Sequence, residues 1–346
     1  MTHDSHPTQA ENEERMRRRR RKEAYHLVAG KSRLSSDMDD LVSDPLYKLL
    51  TARQPKSTPE IQQAKAALVK ELAVSGGDVT TPSFRSAVEE LTNLYDPSHF
   101  DARVKTKRDN LANHLGGVWM MLSMPNFPGV LGRNSEGEYL YTLGHMSFDM
   151  FPPKDLVCSI QGSFNPVHYV GTRDREAIKH IPASLKDEVK KGKSLLRTYD
   201  LITAFTIEPR DATHDDASAN SNVTRPIKAL MTTYGYALPD PNQSNRLSTW
   251  FRGGTIEVWD EELDMEAWRN VFGDLPTPPL KEKAAVFRQK MKTGVCPANS
   301  MEVDGKLSYT LEKPFGGHGH AYADVIYLDE TLRILRGNYG SLYVSA

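Results

Sequence analysis

Apolar residues recur at helical spacing in two segments near the beginning of the chain. The first segment is PEIQQAKAALVKELAV, and the second follows Thr81 and Pro82, a pair typical of a helix start. The apolar faces consist of Ile61, Ala64, Leu68 and Leu72, and of Phe84, Val88, Leu91 and Leu94. The pattern therefore predicts two amphipathic helices, which would cover one end or one face of a sheet.

From Leu115 onward the pattern changes to that of strands. Runs rich in Val, Ile, Thr and aromatic residues are separated by turn residues, and RNSEGE at 133–138 is predicted to be a hairpin loop. The runs are LGGVWMMLSM, EYLYTLGHMSFDMF, DLVCSIQGSF, TYDLITAFTIE, PIKALMTTYGYAL, STWFRGGTIEVW, KLSYTLEK, AYADVIYLD, LRILRG and SLYVSA. About eight to ten antiparallel strands in one series favour a barrel over a sandwich, because closure removes the sheet edges. The predicted fold class is mainly β (α+β), an antiparallel β-barrel with N-terminal and inserted helices.

The predicted strand YDLITAFTIE carries partly apolar residues on both faces. Tyr199, Leu201 and Phe205 lie on one side, and Ile202 and Ala204 lie on the other. This pattern fits a barrel wall that lines a pocket inside and is covered by helices outside. It fits a sheet packed on both faces equally well.

Two regions are predicted in the chain. Residues 1–58 form a flexible basic arm, and residues 59–346 form the helical lead-in and barrel, with insertions near 210–223 and 261–300. The arm could contact an anionic membrane, act as a nuclear address, or be a solvated segment balanced by neighbouring acids. Its basic residues are Arg15, Arg17, Arg18, Arg19, Arg20, Arg21 and Lys22.

Composition narrows the class of protein. The chain of 346 residues is 38% hydrophobic and 26% charged, with a formal net charge of −1. These values suit a soluble globular protein and give no overall field for nucleic acid or membrane. No apolar run reaches the roughly 20 residues of a membrane span. The first residues resemble neither a secretory signal nor a transit peptide, so the sequence by itself indicates a cytoplasmic location.

Two motifs resemble the ends of the plastid lipid-associated protein/fibrillin domain. LGGVWMMLSMP at 115–125 is similar to the opening strand of that family, with its leucine–glycine–x–tryptophan signature. YLDETLRILRGNYGSLYV at 327–344 is similar to the last hairpin of the family, where Arg333, Arg336, Gly337 and Gly340 fill an arginine–x–x–arginine–glycine–x–x–glycine pattern. The resemblance covers residues from about 59 to 346.

The resemblance implies a lipocalin-like barrel that binds lipids, carotenoids, quinones or other isoprenoids, and it implies a plastid location. It supplies no catalytic residues. The predicted ligand-binding residues are Trp119, Tyr141, Phe205, Trp250 and Arg336. Packing in a barrel core is the competing explanation for the aromatic ones.

The segment GGHGHAYAD at 316–324 carries the candidate catalytic chemistry. On an extended strand His318, His320 and Asp324 would point the same way, but the surrounding glycines also indicate a loop. A metal site would need a third ligand, and we expect neither a metal nor a cofactor. An acid–base role for these three residues remains open.

Three hypotheses about function follow. The first is binding of an apolar small molecule, a lipid or isoprenoid, in the barrel, with no nucleic acid as a partner. The second is an enzyme of the same fold that isomerises or cyclises a lipid or terpenoid, which we consider weaker. The third is a structural or interaction protein without a small ligand.

Overall fold

The computed structural model describes residues 58–96, 100–104, 111–171, 178, 181, 183–190, 195–209, 223–259, 265–272, 295–296, 301–302 and 305–346. Its helices are α1 (Pro59–Ser75), α2 (Pro82–Asn93), a 3-10 helix (Leu111–Leu115), α3 (Leu143–Ser147), α4 (Ala183–Lys190) and α5 (Met265–Phe272). Its strands are β1 (Gly117–Met120), β2 (Gly132–Arg133), β3 (Tyr139–Thr142), β4 (Val157–Val167), β5 (Arg197–Thr198), β6 (Leu201–Ile207), β7 (Ile227–Pro239), β8 (Arg246–Val258), β9 (Val295–Cys296), β10 (Leu307–Gly316), β11 (Tyr322–Leu328), β12 (Arg333–Gly337) and β13 (Leu342–Ser345). The basic arm lies outside the described residues, apart from Thr58, and so do most of the two predicted insertions.

The two predicted N-terminal helices are confirmed, and their ends have local causes. The hydroxyl of Thr58 accepts a hydrogen bond from the Ile61 N–H at the start of α1, and that of Thr81 accepts one from the Phe84 N–H at the start of α2. Proline follows each threonine, where its missing N–H does no harm. Gly76 ends α1 in the left-handed conformation with a φ of 64°.

The strands form one antiparallel sheet that curls into a half-barrel. Nine strands follow in the order β13-β12-β11-β8-β7-β6-β4-β3-β2. β1 pairs with β4, β5 with β7, β9 with β10, and β10 with β8. Most neighbours in this order are also neighbours along the chain.

The segment that continues β1 is hydrogen-bonded on both sides. Met121 donates its N–H to the carbonyl of Ser163 in β4 at 2.8 Å. Met120 and Ala346 exchange two backbone hydrogen bonds of 2.8 and 2.9 Å, and Leu122 donates to the carbonyl of Val344 at 2.8 Å. Backbone hydrogen bonds thus join this segment to β4 on one side and to the last strand on the other.

Apolar cores cover both faces of the sheet. On the concave face, the cluster around Trp119 draws buried residues from strands that are not neighbours, including Ala237, Leu247 and Leu335. A second concave cluster, around Phe205, packs against α3 and α5. On the convex face, α1 and α2 pack against β11, β12 and β13. The sheet is therefore packed on both sides, which is one of the two arrangements that fit the apolar faces of β6.

The run EYLYTLGHMSFDMF is only partly a strand, so its strand prediction is wrong beyond Thr142. The Thr142 hydroxyl accepts a hydrogen bond from the N–H of His145 and begins α3, which buries Leu143 and Met146. Phe148 and Asp149 then adopt left-handed conformations. An apolar run this short fits a buried strand and a buried helical turn equally well, and here the capping threonine selects the helix.

Candidate functional site

The most unusual polar group on the concave face is the side chain of Arg333, the first residue of β12. Arg333 is 2% exposed. Its Nε donates to the hydroxyl of Ser345 on β13 at 3.1 Å, and its guanidinium lies 4.8 Å from the centre of the Trp119 ring. Its Nη1 is buried and has no hydrogen-bond partner. Buried polar groups are nearly always paired, so this nitrogen marks a candidate site.

Burial lowers the pKa of Arg333 to about 10, and Tyr199 nearby opposes this shift. The guanidinium therefore stays charged at neutral pH. Among the described residues, no carboxylate forms an ion pair with it. A buried charge that lacks a counterion costs several kcal/mol, by order of magnitude. The site thus holds a positive charge that the described part of the chain does not neutralise.

Trp119 and Asn165 extend the site across the sheet. They face each other across β1 and β4, and the Trp119 Nε1 donates to the carbonyl of Leu115 at 2.9 Å. Asn165 is 2% exposed, its Nδ2 donates to the carbonyl of Asp200 at 2.8 Å, and its Oδ1 has no partner. Among the residues that the structure describes, the concave face therefore contains one unpartnered donor, at Arg333, and one unpartnered acceptor, at Asn165.

Two tyrosines complete this set of residues, which we call the Arg333 cluster. Burial raises the pKa of Tyr199, and Tyr199 and Tyr343 pack in the same apolar cluster as Trp119. Tyr199 therefore remains a neutral phenol that can donate a hydrogen bond. The Arg333 cluster consists of Trp119, Asn165, Tyr199, Arg333, Tyr343 and Ser345.

Asp200 lies between β5 and β6 beside this cluster. Burial raises its pKa to about 6, although the Gly235 N–H, 2.9 Å from Oδ1, and the charge of Arg252 oppose the shift. The native state therefore binds a proton at the Asp200 carboxyl group more tightly than the unfolded state does. The stability that results is present at low pH and is lost as the pH rises from about 4 to about 6.

Replacing Asp200 with asparagine should remove this pH dependence. Relative to Asp200→Asn, the wild type is expected to lose about 2–3 kcal/mol of unfolding free energy between pH 4 and pH 7. Chemical denaturation at both pH values measures the difference. Asp149→Asn, which alters a carboxylate whose side chain is 58% exposed, should leave the pH dependence as it is. An Asp200→Asn profile parallel to that of the wild type would contradict the assignment.

The structure distributes the predicted ligand-binding residues over several places. Trp119 and Phe205 lie on the concave face, in different apolar clusters. Tyr141 is buried with Phe205, and its hydroxyl donates to the carbonyl of Pro125 at 2.8 Å. Trp250 lies on the convex face, stacked on Tyr236 at 5.5 Å. Of this predicted set, only Trp119 belongs to the Arg333 cluster.

Arg336 lies on the outside of the sheet, in a groove between α2 and the last hairpin. The groove encloses about 660 Å³, with Val88, Ile326 and Leu342 among its apolar lining residues and Arg85 among its polar ones. Arg336 itself is exposed. Two arginines three residues apart on a strand point to opposite faces, so the motif places one arginine inside and one outside.

The candidate catalytic residues are not brought together. His318 and His320 lie in the turn that joins β10 to β11, and His320 is exposed. The His318 Nδ1 is 2.8 Å from the hydroxyl of Ser248 and 3.8 Å from the Asp240 carboxylate. The turn is the loop alternative that the surrounding glycines indicated, and the alternation of side chains along a strand does not apply within it.

Asp324 is occupied by an ion pair. Both of its carboxylate oxygens accept hydrogen bonds from Arg246, at 2.6 and 2.9 Å, and this guanidinium lies 3.5 Å from the centre of the Tyr322 ring. The geometry gives Asp324 a structural role and offers no support for acid–base catalysis by the three residues.

Comparisons with known proteins do not assign the chain to a class. No protein family, curated protein or solved structure matches it. Within the described ranges, no group of three or more His, Cys, Asp or Glu side chains is placed to hold a metal ion. No helix in the same ranges is long and apolar enough to span a membrane. The site itself must therefore carry the argument about function.

Sequence reasoning missed Arg333, Asn165 and Tyr199 as site residues. Arg333 was recognised only as part of a motif, in which Arg336 was chosen as the ligand-binding residue. The available signal was the arginine inside the apolar run LRILRG, where only one of the two arginines can face solvent. Asn165 and Tyr199 carry no comparable signal, because single polar residues are common in strands.

Proposed function

We propose that this chain binds an apolar small molecule, a lipid or isoprenoid, against the concave face of its sheet. The observation that carries the proposal is the buried guanidinium of Arg333, which has an unpartnered Nη1 on an otherwise largely apolar face. Small-molecule sites typically combine an apolar lining with a few polar groups that orient the ligand. A ligand with an apolar body and one polar end suits this combination.

We also propose that the sheet closes into a lipocalin-like barrel of eight strands. The ring would run β1-β4-β6-β7-β8-β11-β12-β13 and return to β1. The pairing of the segment after β1 with Ser163 on one side and with residues 344–346 on the other supports closure. A barrel of about eight strands has room for side chains and one small ligand.

The position of the two motifs that resemble the plastid lipid-associated protein/fibrillin domain supports the same reading. Trp119 belongs to the opening motif and Arg333 to the closing motif, and their side chains are in contact on the concave face. Contact between the opening and the closing motif gives both motifs one shared physical role. Membership of that family, and the plastid location that it implies, remain proposals.

The test of the proposed function is to identify a bound molecule. The purified protein is extracted with organic solvent, and the extract is analysed by mass spectrometry. A lipid or isoprenoid recovered in about a 1:1 ratio to protein is the expected result. The delipidated protein is then titrated with an environment-sensitive fluorescent fatty acid. If no lipid is recovered and the probe does not bind at micromolar concentrations, the proposal fails.

A further inference from the structure

We infer that the Arg333 cluster is a head-group site for a carboxylate, so that the ligand is a long-chain carboxylic acid. This inference rests on the proposed function and names the class of its ligand. Three features support it: the way in which Arg333 is held, the balance of charge, and the polar atoms around it.

Arg333 is held so that one nitrogen of its guanidinium, Nη1, keeps no hydrogen-bond partner among the described residues. Register places it opposite Ser345 on β13 and Leu328 on β11. The hydrogen bond from Nε to Ser345 and the Trp119 ring fix the orientation of the guanidinium. The Nη1 is left as a donor that no described group satisfies. A guanidinium held in this way is preorganised, so that little further ordering is needed on binding.

Charge selects a carboxylate among the possible head groups. The site holds one positive charge in a buried environment, and a carboxylate brings one negative charge. A neutral carbonyl would accept the hydrogen bond but leave the guanidinium without a counterion. A phosphate monoester at neutral pH carries a charge between about −1.5 and −2 and would bury an excess of negative charge. Guanidinium and carboxylate also match in planar geometry.

The surrounding polar atoms fit the same head group. The Tyr199 phenol, which packs in the same apolar cluster as Trp119, can donate a second hydrogen bond to a carboxylate oxygen. The unpartnered Oδ1 of Asn165 is an acceptor and takes no part in this contact, while Nδ2 donates one of its two N–H groups to the carbonyl of Asp200.

The experiment compares ligands that differ only in the head group. Palmitic acid, methyl palmitate and hexadecyl phosphate are titrated into the delipidated full-length protein by displacement of a fluorescent probe. The wild type should bind the acid at least about tenfold more tightly than the ester, as one charge-assisted hydrogen bond to a buried group implies. Arg333→Met should lose that preference, with the affinity for the ester changed less than about threefold.

A matched control lies in the same hairpin. Arg336→Met removes an exposed arginine on the opposite face and should leave the preference for the acid unchanged. The ligand-free Arg333→Met protein should melt at or above the temperature of the wild type, because an unpaired buried charge has been removed. A purely structural arginine would give a lower melting temperature.

The outcomes separate the head-group inference from the proposed function. Equal affinity for acid and ester in the wild type, or tighter binding of the phosphate, overturns the carboxylate inference and leaves the proposed function intact. Failure of all three ligands and of the probe to bind overturns both. The comparison within the wild type decides the question even if the Arg333 variant does not fold.

Discussion

Truncation of the chain after Gly340 is expected to abolish cooperative folding. The deletion removes β13, which contributes the buried side chains of Val344 and Ser345 and pairs with both β12 and the segment after β1. Apolar burial and about six backbone hydrogen bonds together amount to roughly 5–10 kcal/mol. Because domains are typically stable by about 5–15 kcal/mol, this loss approaches the whole stability.

Circular dichroism and thermal unfolding of the truncated protein measure the effect. Removal of Ala346 alone is the matched control, since it takes away the reciprocal bonds with Met120 and leaves β13 in place. That smaller change should cost about 1–2 kcal/mol. Closure by the last strand would be contradicted if the protein truncated after Gly340 still unfolded cooperatively, within a few degrees of the full chain.

Replacing Trp268 with alanine should lower the free energy of unfolding by about 3–5 kcal/mol. Trp268 of α5 is fully buried against the concave cluster around Phe205, and its ring centre is 4.5 Å from that of Phe272. Its Nε1 donates to the carbonyl of Gly305 at 2.7 Å. The substitution would leave a cavity and an unsatisfied carbonyl at the point where α5 covers the sheet.

Urea denaturation followed by circular dichroism provides the measurement. Trp250→Ala removes the same atoms from a half-buried position on the convex face, and should cost only about 1–2 kcal/mol through the lost stacking on Tyr236. Trp268→Phe retains most of the packing and isolates the bond to Gly305, with an expected loss of about 1 kcal/mol. Equal losses for the two alanine variants would show that α5 is not part of the core.

Local signals determined much of the secondary structure. The threonine–proline pairs at 58–59 and 81–82 locate the starts of α1 and α2, because the hydroxyl cap and the missing proline N–H act within one turn. RNSEGE forms the loop between β2 and β3, as predicted. Where a strand and a helical turn fitted the apolar pattern equally well, as after Thr142, the hydroxyl cap of that threonine favoured the helix.

The assignment of residues to faces was only half determined by the sequence. Alternation places Arg333 and Arg336 on opposite sides of β12, but it does not say which side is concave. The direction of curvature follows from how β12 pairs with β11 and β13 and from the helices that cover the outer face. For this reason Arg336 was chosen from the sequence, whereas the structure points to Arg333.

The sequence by itself determined the two N-terminal helices, most strands and the presence of two apolar faces, since these depend on residues a few positions apart. Only the tertiary structure decided which polar groups meet. Trp119 and Arg333 are in contact although most of the described chain lies between them. Their meeting depends on the register of several strands and on the hydrogen bonds between the segment after β1 and β13. Register is a collective property of the packed sheet, because a slip of one residue would move every side chain to the other face.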